Sequence, residues 1–176
     1  MPPLTDDLSI RDMRADDLAA VHALNQDNVP AVGDEPLESL RDIFEECVTA
    51  LVAERLTREG PRLIGFCLAL APNARYESPN YLYFSKRYED FIYLDRVAVR
   101  EGERGRGVGA ALYREVERRA RAPWFTLEVN LKPLNEGSLR FHAREGFTEV
   151  ARAETRPGKP VSLLVKPLSA GAAQGG

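Results

Sequence analysis

Residues 91–121 constrain this chain most, because a glycine-rich turn there joins a strand-like segment to a helix-like one. The first part is rich in aromatic and β-branched residues, as is typical of a β-strand. After the turn, Val108, Leu112 and Val116 recur at helical spacing, and the segment ends in arginines that suit the negative end of a helix dipole. The sequence therefore predicts a strand, a tight turn and a helix N-terminus.

The turn has the composition of a phosphate-binding loop. Gly105, Gly107 and Gly109 lack a Cβ, so successive backbone N–H groups can converge on one anion at the positive end of the helix. Arg104 and Arg106 would add formal charge and bidentate donors. The alternative is a flexible surface loop without a ligand.

One known motif that fits these glycines is the dinucleotide-binding fingerprint. Gly105, Gly107 and Ala110 have its spacing, and Glu128 lies at roughly the distance of the ribose-binding acid. That fingerprint normally opens a long βαβ array, whereas little of this chain follows Ala110. The match is therefore weak.

A second motif fits better. The pattern Arg104-x-x-Gly107-x-Gly109, after a strand ending in Val97-Ala98-Val99, resembles the pyrophosphate loop of the GNAT-superfamily N-acetyltransferases, which bind acetyl-CoA. The resemblance implies that acetyl-CoA is the acyl donor. It also implies the following cofactor-binding residues: Val97, Ala98, Val99, Arg104, Gly105, Arg106, Gly107, Val108, Gly109, Ala110, Asn130 and Asn135.

The order of predicted elements is that of the same family. Periodicity and turn signals predict βααββ, a long insertion and then βαβαββ, so the resemblance covers roughly residues 8–168. It implies an α/β (α+β) GNAT fold with a mixed, mostly antiparallel sheet of six to seven strands. The sheet should splay between its fourth and fifth strands and be flanked by about four helices. We expect one domain over residues 1–168 and a flexible tail over residues 169–176.

Composition limits the function classes. A net charge of −3 argues against nonspecific binding to nucleic acid or to anionic membranes. The sequence has neither an apolar run of about 20 residues nor a signal-peptide pattern, so we expect a cytoplasmic protein. Cys47 and Cys67 are too few for a disulfide framework or a zinc site, and we expect them to fill core space and no metal to bind.

The insertion, residues 72–90, is long for a compact domain, and long loops are usually functional or disordered. Half of the chain's aromatic side chains lie in or just after it, which argues against disorder. They could wall a substrate pocket, form the interface of a homodimer, or pack in the core. The candidate pocket residues are Tyr81, Tyr83, Phe84 and Tyr93.

A second motif lies in residues 135–147. It resembles the family segment Asn-x-x-Ala/Ser-x-x-Phe-Tyr-x-x-x-Gly-Phe, in which the asparagine helps to hold the pantetheine arm and the tyrosine often protonates the leaving thiolate. Asn135 matches the asparagine, and His142 replaces the tyrosine. An imidazolium could donate that proton. The alternative is that His142 is a half-buried helix residue with a structural role.

The family mechanism also implies roles for the fourth strand. The pantetheine arm pairs with its backbone, and the N–H near Val97 would polarise the thioester carbonyl. The amine must lose a proton to react, and strand alternation places Asp95 on the same face as Val97. Asp95 is the first candidate for a base or an amine-binding anion, unless it pairs with Arg96 or Arg87. Glu128, on the next strand, is the second.

These features predict an acetyl-CoA-dependent N-acetyltransferase for a primary amine, either a small molecule or an amino-acid-like one. We expect direct transfer, because neither cysteine occupies a recognisable nucleophile position. A protein or peptide N-acetyltransferase is one alternative, and it should have an open groove. A noncatalytic acyl-CoA-binding protein is the other.

Overall fold

The computed structural model of the chain describes residues 7–168, which form seven β-strands and five α-helices. In chain order they are β1 (Leu8–Asp12), α1 (Leu18–Asp27), α2 (Leu37–Glu46), β2 (Thr49–Thr57), β3 (Gly60–Leu70), α3 (Pro79–Ser85), β4 (Ile92–Val99), α4 (Val108–Arg119), β5 (Trp124–Asn130), α5 (Glu136–Arg144), β6 (Thr148–Arg156) and β7 (Lys159–Pro167). The predicted flexible tail, residues 169–176, lies outside the described residues. Within the described residues, no helix is both long and apolar enough to span a bilayer.

The seven strands form one mixed sheet in the order β1-β2-β3-β4-β5-β7-β6. The pairs β1–β2, β2–β3, β5–β7 and β6–β7 are antiparallel, and β4–β5 is parallel. This topology confirms the predicted fold class and differs from the parallel array that a dinucleotide-binding fingerprint would open. The parallel register joins Ile92 to Phe125 and Tyr93 to Thr126. The ladder thus occupies only the first residues of β4, which confirms the predicted splay.

The described residues form two compact units, the first of which comprises residues 7–69 and 96–119. Within it, α4 packs on β1 and β2, and α1 packs on α2. The predicted stripe of Val108, Leu112 and Val116 is buried, as are the apolar residues of β2 and β3. Gly65 on β3 permits close approach of the helix, because a Cβ there would lie 3.1 Å from Cγ1 of Val108.

The second unit comprises residues 70–95 and 120–168. Helix α3 packs against β5 and β6, and the antiparallel β5–β7–β6 strands provide its sheet. Buried rings surround Tyr81, whose centroid lies 5.4 Å from that of Tyr93 and 5.9 Å from that of Phe91. At α5, Phe147 packs edge-on against Phe125, with centroids 5.2 Å apart. The prediction of a single domain over residues 1–168 stays a prediction.

Two features differ from the sequence-based expectations. Helix α3 lies within the segment that was expected to be an irregular insertion. Ser78 precedes it, Pro79 supplies a preset first-turn φ, and Tyr81 and Phe84 share its buried face. The sequence predicts the last two strands over residues 148–154 and 161–166, whereas β6 and β7 are separated by only two residues. Gly158, with a φ of 73°, permits this tight turn.

We expect Gly65→Ala to destabilise the first unit. The new Cβ would meet Cγ1 of Val108 at 3.1 Å and the carbonyl oxygen of Ala98 at 3.3 Å, so one of them must move. Overpacking of this kind typically costs about 1–3 kcal/mol, measurable by urea unfolding. Gly102→Ala is the matched control, since a Cβ there has nothing within 4 Å. Equal stability of the two variants would contradict the packing described.

Candidate functional site

The glycine-rich turn has the backbone conformation that the sequence predicts for an anion-binding loop. After β4, a single turn of 3-10 helix leads to Gly105 and Gly107, with φ values of 74° and 84°. The first backbone bond of α4 runs from the N–H of Ala111 to the carbonyl of Gly107, 3.0 Å apart. The N–H groups at the start of the helix have no carbonyl to bond within it. They are therefore suited to bind an anion.

Two arginines add charge to this loop. Arg106 is exposed, and its Nη1 lies 3.1 Å from Oε2 of Glu103. Glu103 also accepts from Arg55 at 2.9 Å, which fixes the carboxylate in place. Arg104 donates to the side-chain oxygen of Asn28, at the end of α1. Both cations thus have partners beside the glycine turn, and their role toward an anion stays a prediction.

The predicted strand face has the expected alternation of burial. On β4, Asp95, Val97 and Val99 are half-exposed, whereas the alternate residues, including Ala98, are buried. Buried Arg96 donates from Nη1 to Oδ1 of Asn25 at 3.0 Å, and from Nη2 to Glu35 at 3.3 Å. The side chains of Asp95, Val97 and Val99 therefore share the more accessible face of the strand.

The chemically most distinctive group lies in the second unit. Glu128 is a half-buried carboxylate on β5, two residues beyond Thr126, where the ladder with β4 ends. The hydroxyl of Tyr93 donates to its Oε2 at 2.7 Å. The hydroxyl of Tyr76 donates to Oδ1 of Asp95. The structure therefore brings together both predicted carboxylates, Asp95 and Glu128, each held by a tyrosine.

The environment of Glu128 favours its protonated form. Burial raises the pKa of Glu128 to about 7, and the negative charge of Asp95 adds to the shift. Hydrogen bonds from Tyr93 and, more weakly, from Asn80 oppose it, as does the positive charge of Arg156. Because a general base works best with a pKa near the operating pH, Glu128 is suited to accept a proton at neutral pH.

Tyr93 remains a hydrogen-bond donor throughout. Burial, together with the charges of Glu128 and Asp95, raises the pKa of its phenol well above the ordinary value of 10.0. The phenol is therefore protonated at neutral pH, and it donates its proton to Glu128.

The second motif forms α5 and its cap. The side-chain oxygen of Asn135 accepts from the N–H of Ser138 at 3.0 Å, as an N-cap does. His142 is buried, and its Nδ1 lies 2.7 Å from the carbonyl oxygen of Ser138. Burial lowers the pKa of His142, so the neutral imidazole is favoured, with its Nδ1 proton on that carbonyl. The roles of His142 as an acid and of Asn135 toward pantetheine stay predictions.

The predicted pocket aromatics lie mostly in the core. Tyr81 and Phe84 are buried, and the hydroxyl of Tyr81 donates to the carbonyl of Ala71 at 2.6 Å. Tyr83 is half-exposed, with the guanidinium carbon of Arg87 3.6 Å from the centre of its ring. These contacts are those expected from core packing, one of the alternatives above, and a role in a pocket wall stays a prediction.

Sequence reasoning missed three polar residues around the carboxylates, namely Tyr76, Asn80 and Arg156. Tyr76 belongs to the aromatic run, which is the only signal that could have identified it. Asn80 and Arg156 come from segments far from Glu128 in sequence, so no local pattern connects them.

The shifted pKa of Glu128 predicts a specific pH dependence of stability. Between pH 4.5, its ordinary pKa, and about 7, the folded state holds more protons than the unfolded state. The free energy of unfolding contributed by this group therefore falls as the pH rises through this range and is level above it. In urea unfolding, we expect the free energy of unfolding of the wild type to decrease over this pH range relative to that of Glu128→Gln.

The control for this measurement is Glu154→Gln, the same change at an exposed side chain of the second unit. It should have the same pH dependence as the wild type. Parallel curves for the wild type and Glu128→Gln would contradict the assigned environment.

Comparison with known proteins agrees with this geometry. The family model described as the acetyltransferase (GNAT) family matches residues 18–147. Among curated protein sequences, none matches the chain.

Solved structures share the fold at low sequence identity. Naa20 of Chaetomium thermophilum, in complex with a bisubstrate analogue, is 20% identical, with a TM-score of 0.71 over 95% of this chain and 90% of that one. NAA60 of Arabidopsis thaliana, also with a bisubstrate analogue, is 20% identical, with a TM-score of 0.73 over 93% and 99%. The ribosomal-protein-S18-alanine N-acetyltransferase of Escherichia coli is 17% identical, with a TM-score of 0.63 over 92% and 94%.

Proposed function

The chain belongs to the acetyltransferase (GNAT) family, whose acyl donor is acetyl-CoA, and we propose that it acetylates a primary amine with Glu128 as the general base. The observation that carries this proposal is the carboxylate of Glu128, bonded to the Tyr93 hydroxyl at 2.7 Å and with a pKa raised to about 7. A carboxylate in this state can take the proton that an ammonium must lose before it attacks a carbonyl.

The first unit supplies the groups that would hold acetyl-CoA. Positive φ at Gly105 and Gly107 turns the loop toward the N-terminus of α4, whose N–H groups would bind the pyrophosphate together with Arg104 and Arg106. Along β4, the backbone of Val97 and Val99 would pair with the pantetheine arm. The N–H near Val97 would polarise the thioester carbonyl.

The reaction is a direct transfer. The amine nitrogen attacks the thioester carbonyl carbon, the C–N bond forms, and the amine proton passes to the Glu128 carboxylate. Collapse of the tetrahedral intermediate breaks the C–S bond, and CoA leaves as a thiolate that takes up a proton from solvent. His142 is the donor that the resemblance implies, but its neutral imidazole, whose Nδ1 proton bonds the Ser138 carbonyl, would first have to be protonated. No acyl-enzyme is needed, and burial raises the pKa of the Cys67 thiol to about 12, which makes it a poor nucleophile.

For the acceptor, we propose a small or amino-acid-like primary amine. The second candidate is an amine of a peptide or protein, and it is favoured by the Gag peptide bound with CoA to the NatC complex and by the analogue CoA-Ac-MVNAL bound to Naa50 of Arabidopsis thaliana. We further propose a cytoplasmic location, and a homodimer through the aromatic insertion, where Leu82 of α3 is exposed. Light scattering in solution tests the dimer directly.

Release of CoA thiol with a panel of amines and short peptides tests the proposed function. If any primary amine increases thiol release from acetyl-CoA, the result supports an acetyltransferase. A higher rate with small amines or with peptides then distinguishes the two acceptor classes. If acetyl-CoA binds but no amine or peptide in a broad panel releases thiol above the hydrolysis rate, the noncatalytic alternative replaces the proposal.

We expect Gly107→Asp to raise the dissociation constant of acetyl-CoA at least about tenfold, because the new carboxylate would repel the pyrophosphate. Calorimetric titration measures it. Gly158→Asp is a matched control with similar backbone strain, since its φ of 73° is close to the 84° of Gly107. Equal affinity in the two variants would show that the loop does not bind the cofactor.

We expect Glu128→Gln to lower kcat by about 10²-fold or more at pH 8, because an amide cannot accept the proton. The dissociation constant of acetyl-CoA should remain within about twofold, since Glu128 is not among the phosphate-binding groups. Asp95→Asn is the comparison, and it should lose less activity. A larger loss in Asp95→Asn than in Glu128→Gln would transfer the role of base to Asp95.

A further inference from the structure

Helix α3 places a buried amide next to the carboxylate that acts as the base. Asn80, only 3% exposed, is the second residue of the helix. Helix α3 packs against β5, the strand that carries Glu128. A hydrogen bond from the Asn80 side chain lowers the pKa of the Glu128 carboxyl and so favours its charged form.

A second hydrogen bond fixes which end of the amide meets the carboxylate. The hydroxyl of Thr155, on β6, donates to Oδ1 of Asn80 at 2.5 Å. An asparagine side chain has one acceptor oxygen and one NH₂ group with two donors. Because a carboxylate can only accept, occupation of Oδ1 by Thr155 leaves the NH₂ group for Glu128. In the reversed orientation, Oδ1 of Asn80 would face the carboxylate oxygen of Glu128, and the Thr155 hydroxyl proton would have no acceptor on the amide.

A neighbouring contact holds the two elements together. Arg156 follows Thr155 on β6, and its Nη2 lies 3.5 Å from Oγ of Ser78, the residue before α3. Helix α3 also packs against both β5 and β6, the strands that carry Glu128 and Thr155. The start of the helix is thus attached to the end of β6 by two side-chain contacts.

We propose that Asn80 and Thr155 form a hydrogen-bond relay that positions the Glu128 carboxylate for proton transfer, with helix α3 as its support. Both are positioning residues, since neither needs to touch the substrate. The inference rests on the proposed role of Glu128 as the base. It assigns a function to the insertion helix within the same site.

Other groups besides the relay also influence the ionisation of Glu128. Tyr93 and Asp95 on β4 and Arg156 on β6 also act on Glu128, and all three remain in the variants below. Loss of the Asn80 donor removes a bond that favours the charged carboxylate. The midpoint at which Glu128 ionises should therefore move to higher pH, and the acidic limb of kcat/KM should move with it.

The first test is a titration of the Glu128 carboxyl carbon by NMR, on the full-length protein without substrate. We expect Asn80→Ala to raise the midpoint by about one pH unit, the usual size of one hydrogen bond to a charged group. Thr155→Val should shift it in the same direction by less, and Thr155→Ser should restore the wild-type value because it keeps the hydroxyl. An unchanged midpoint in Asn80→Ala and Thr155→Val overturns the relay.

One further variant tests whether the shift is specific to Thr155. Thr148→Val is the matched control, the same substitution at an exposed position of β6, and its midpoint should equal that of the wild type. If Asn80→Ala does not fold, the Val and Ser substitutions at Thr155 decide the question alone. Equal shifts in Thr155→Val and Thr155→Ser would contradict a hydroxyl-specific role.

The pH dependence of kcat/KM separates this inference from the proposed function. If the NMR midpoint and the acidic limb shift together in Asn80→Ala, both stand. If the midpoint shifts and the limb does not, the relay positions Glu128 but Glu128 is not the base. If neither shifts, the relay is wrong, and the loss of activity in Glu128→Gln still tests the base on its own.

Discussion

The early end of the parallel ladder between β4 and β5 is the constraint on which this molecule depends. The register joins Ile92 to Phe125 and Tyr93 to Thr126, and both strands continue beyond it. Glu128 lies just beyond the last pair on β5. The resemblance to the family implies that the pantetheine arm of acetyl-CoA would pair with the backbone of β4, as an added strand does.

The carboxylate at this position is kept between two opposing influences. Burial and the charge of Asp95 favour the protonated form, whereas Tyr93, Asn80 and Arg156 favour the ionised one. The balance leaves its pKa at about 7, so this group contributes less to stability at neutral pH than at pH 4.5. Tyr81 and Phe84 pack near Tyr93, the phenol that donates to this carboxylate.

The sequence was informative where function depends on local geometry. The loop from Arg104 to Gly109 needs glycines, adjacent cations and a helix start within a few residues, and all three are visible in the sequence. The order of strands and helices was also predictable, because each has its own periodicity. Neither needs long-range information, and the family that they indicated is the one whose model matches residues 18–147.

The sequence was less informative where function depends on distant contacts. Glu128, Tyr93 and Asn80 come from three different elements, and only the fold brings them together. Helix α3 was missed because seven residues are too few to establish a helical period among so many aromatic side chains. Burial of His142 was equally invisible, since one residue on a short helix does not reveal which face is covered.

We propose that protonation of the Glu128 carboxyl causes the decrease of kcat/KM at low pH. The most direct measurement compares two numbers in the wild-type protein: the midpoint of the Glu128 carboxyl titration by NMR, and the midpoint of the acidic limb of kcat/KM for acetyl transfer. We expect the NMR midpoint and the kinetic midpoint to coincide near pH 7. A carboxyl that ionises well below the kinetic midpoint would contradict it, since the rate would then follow another group.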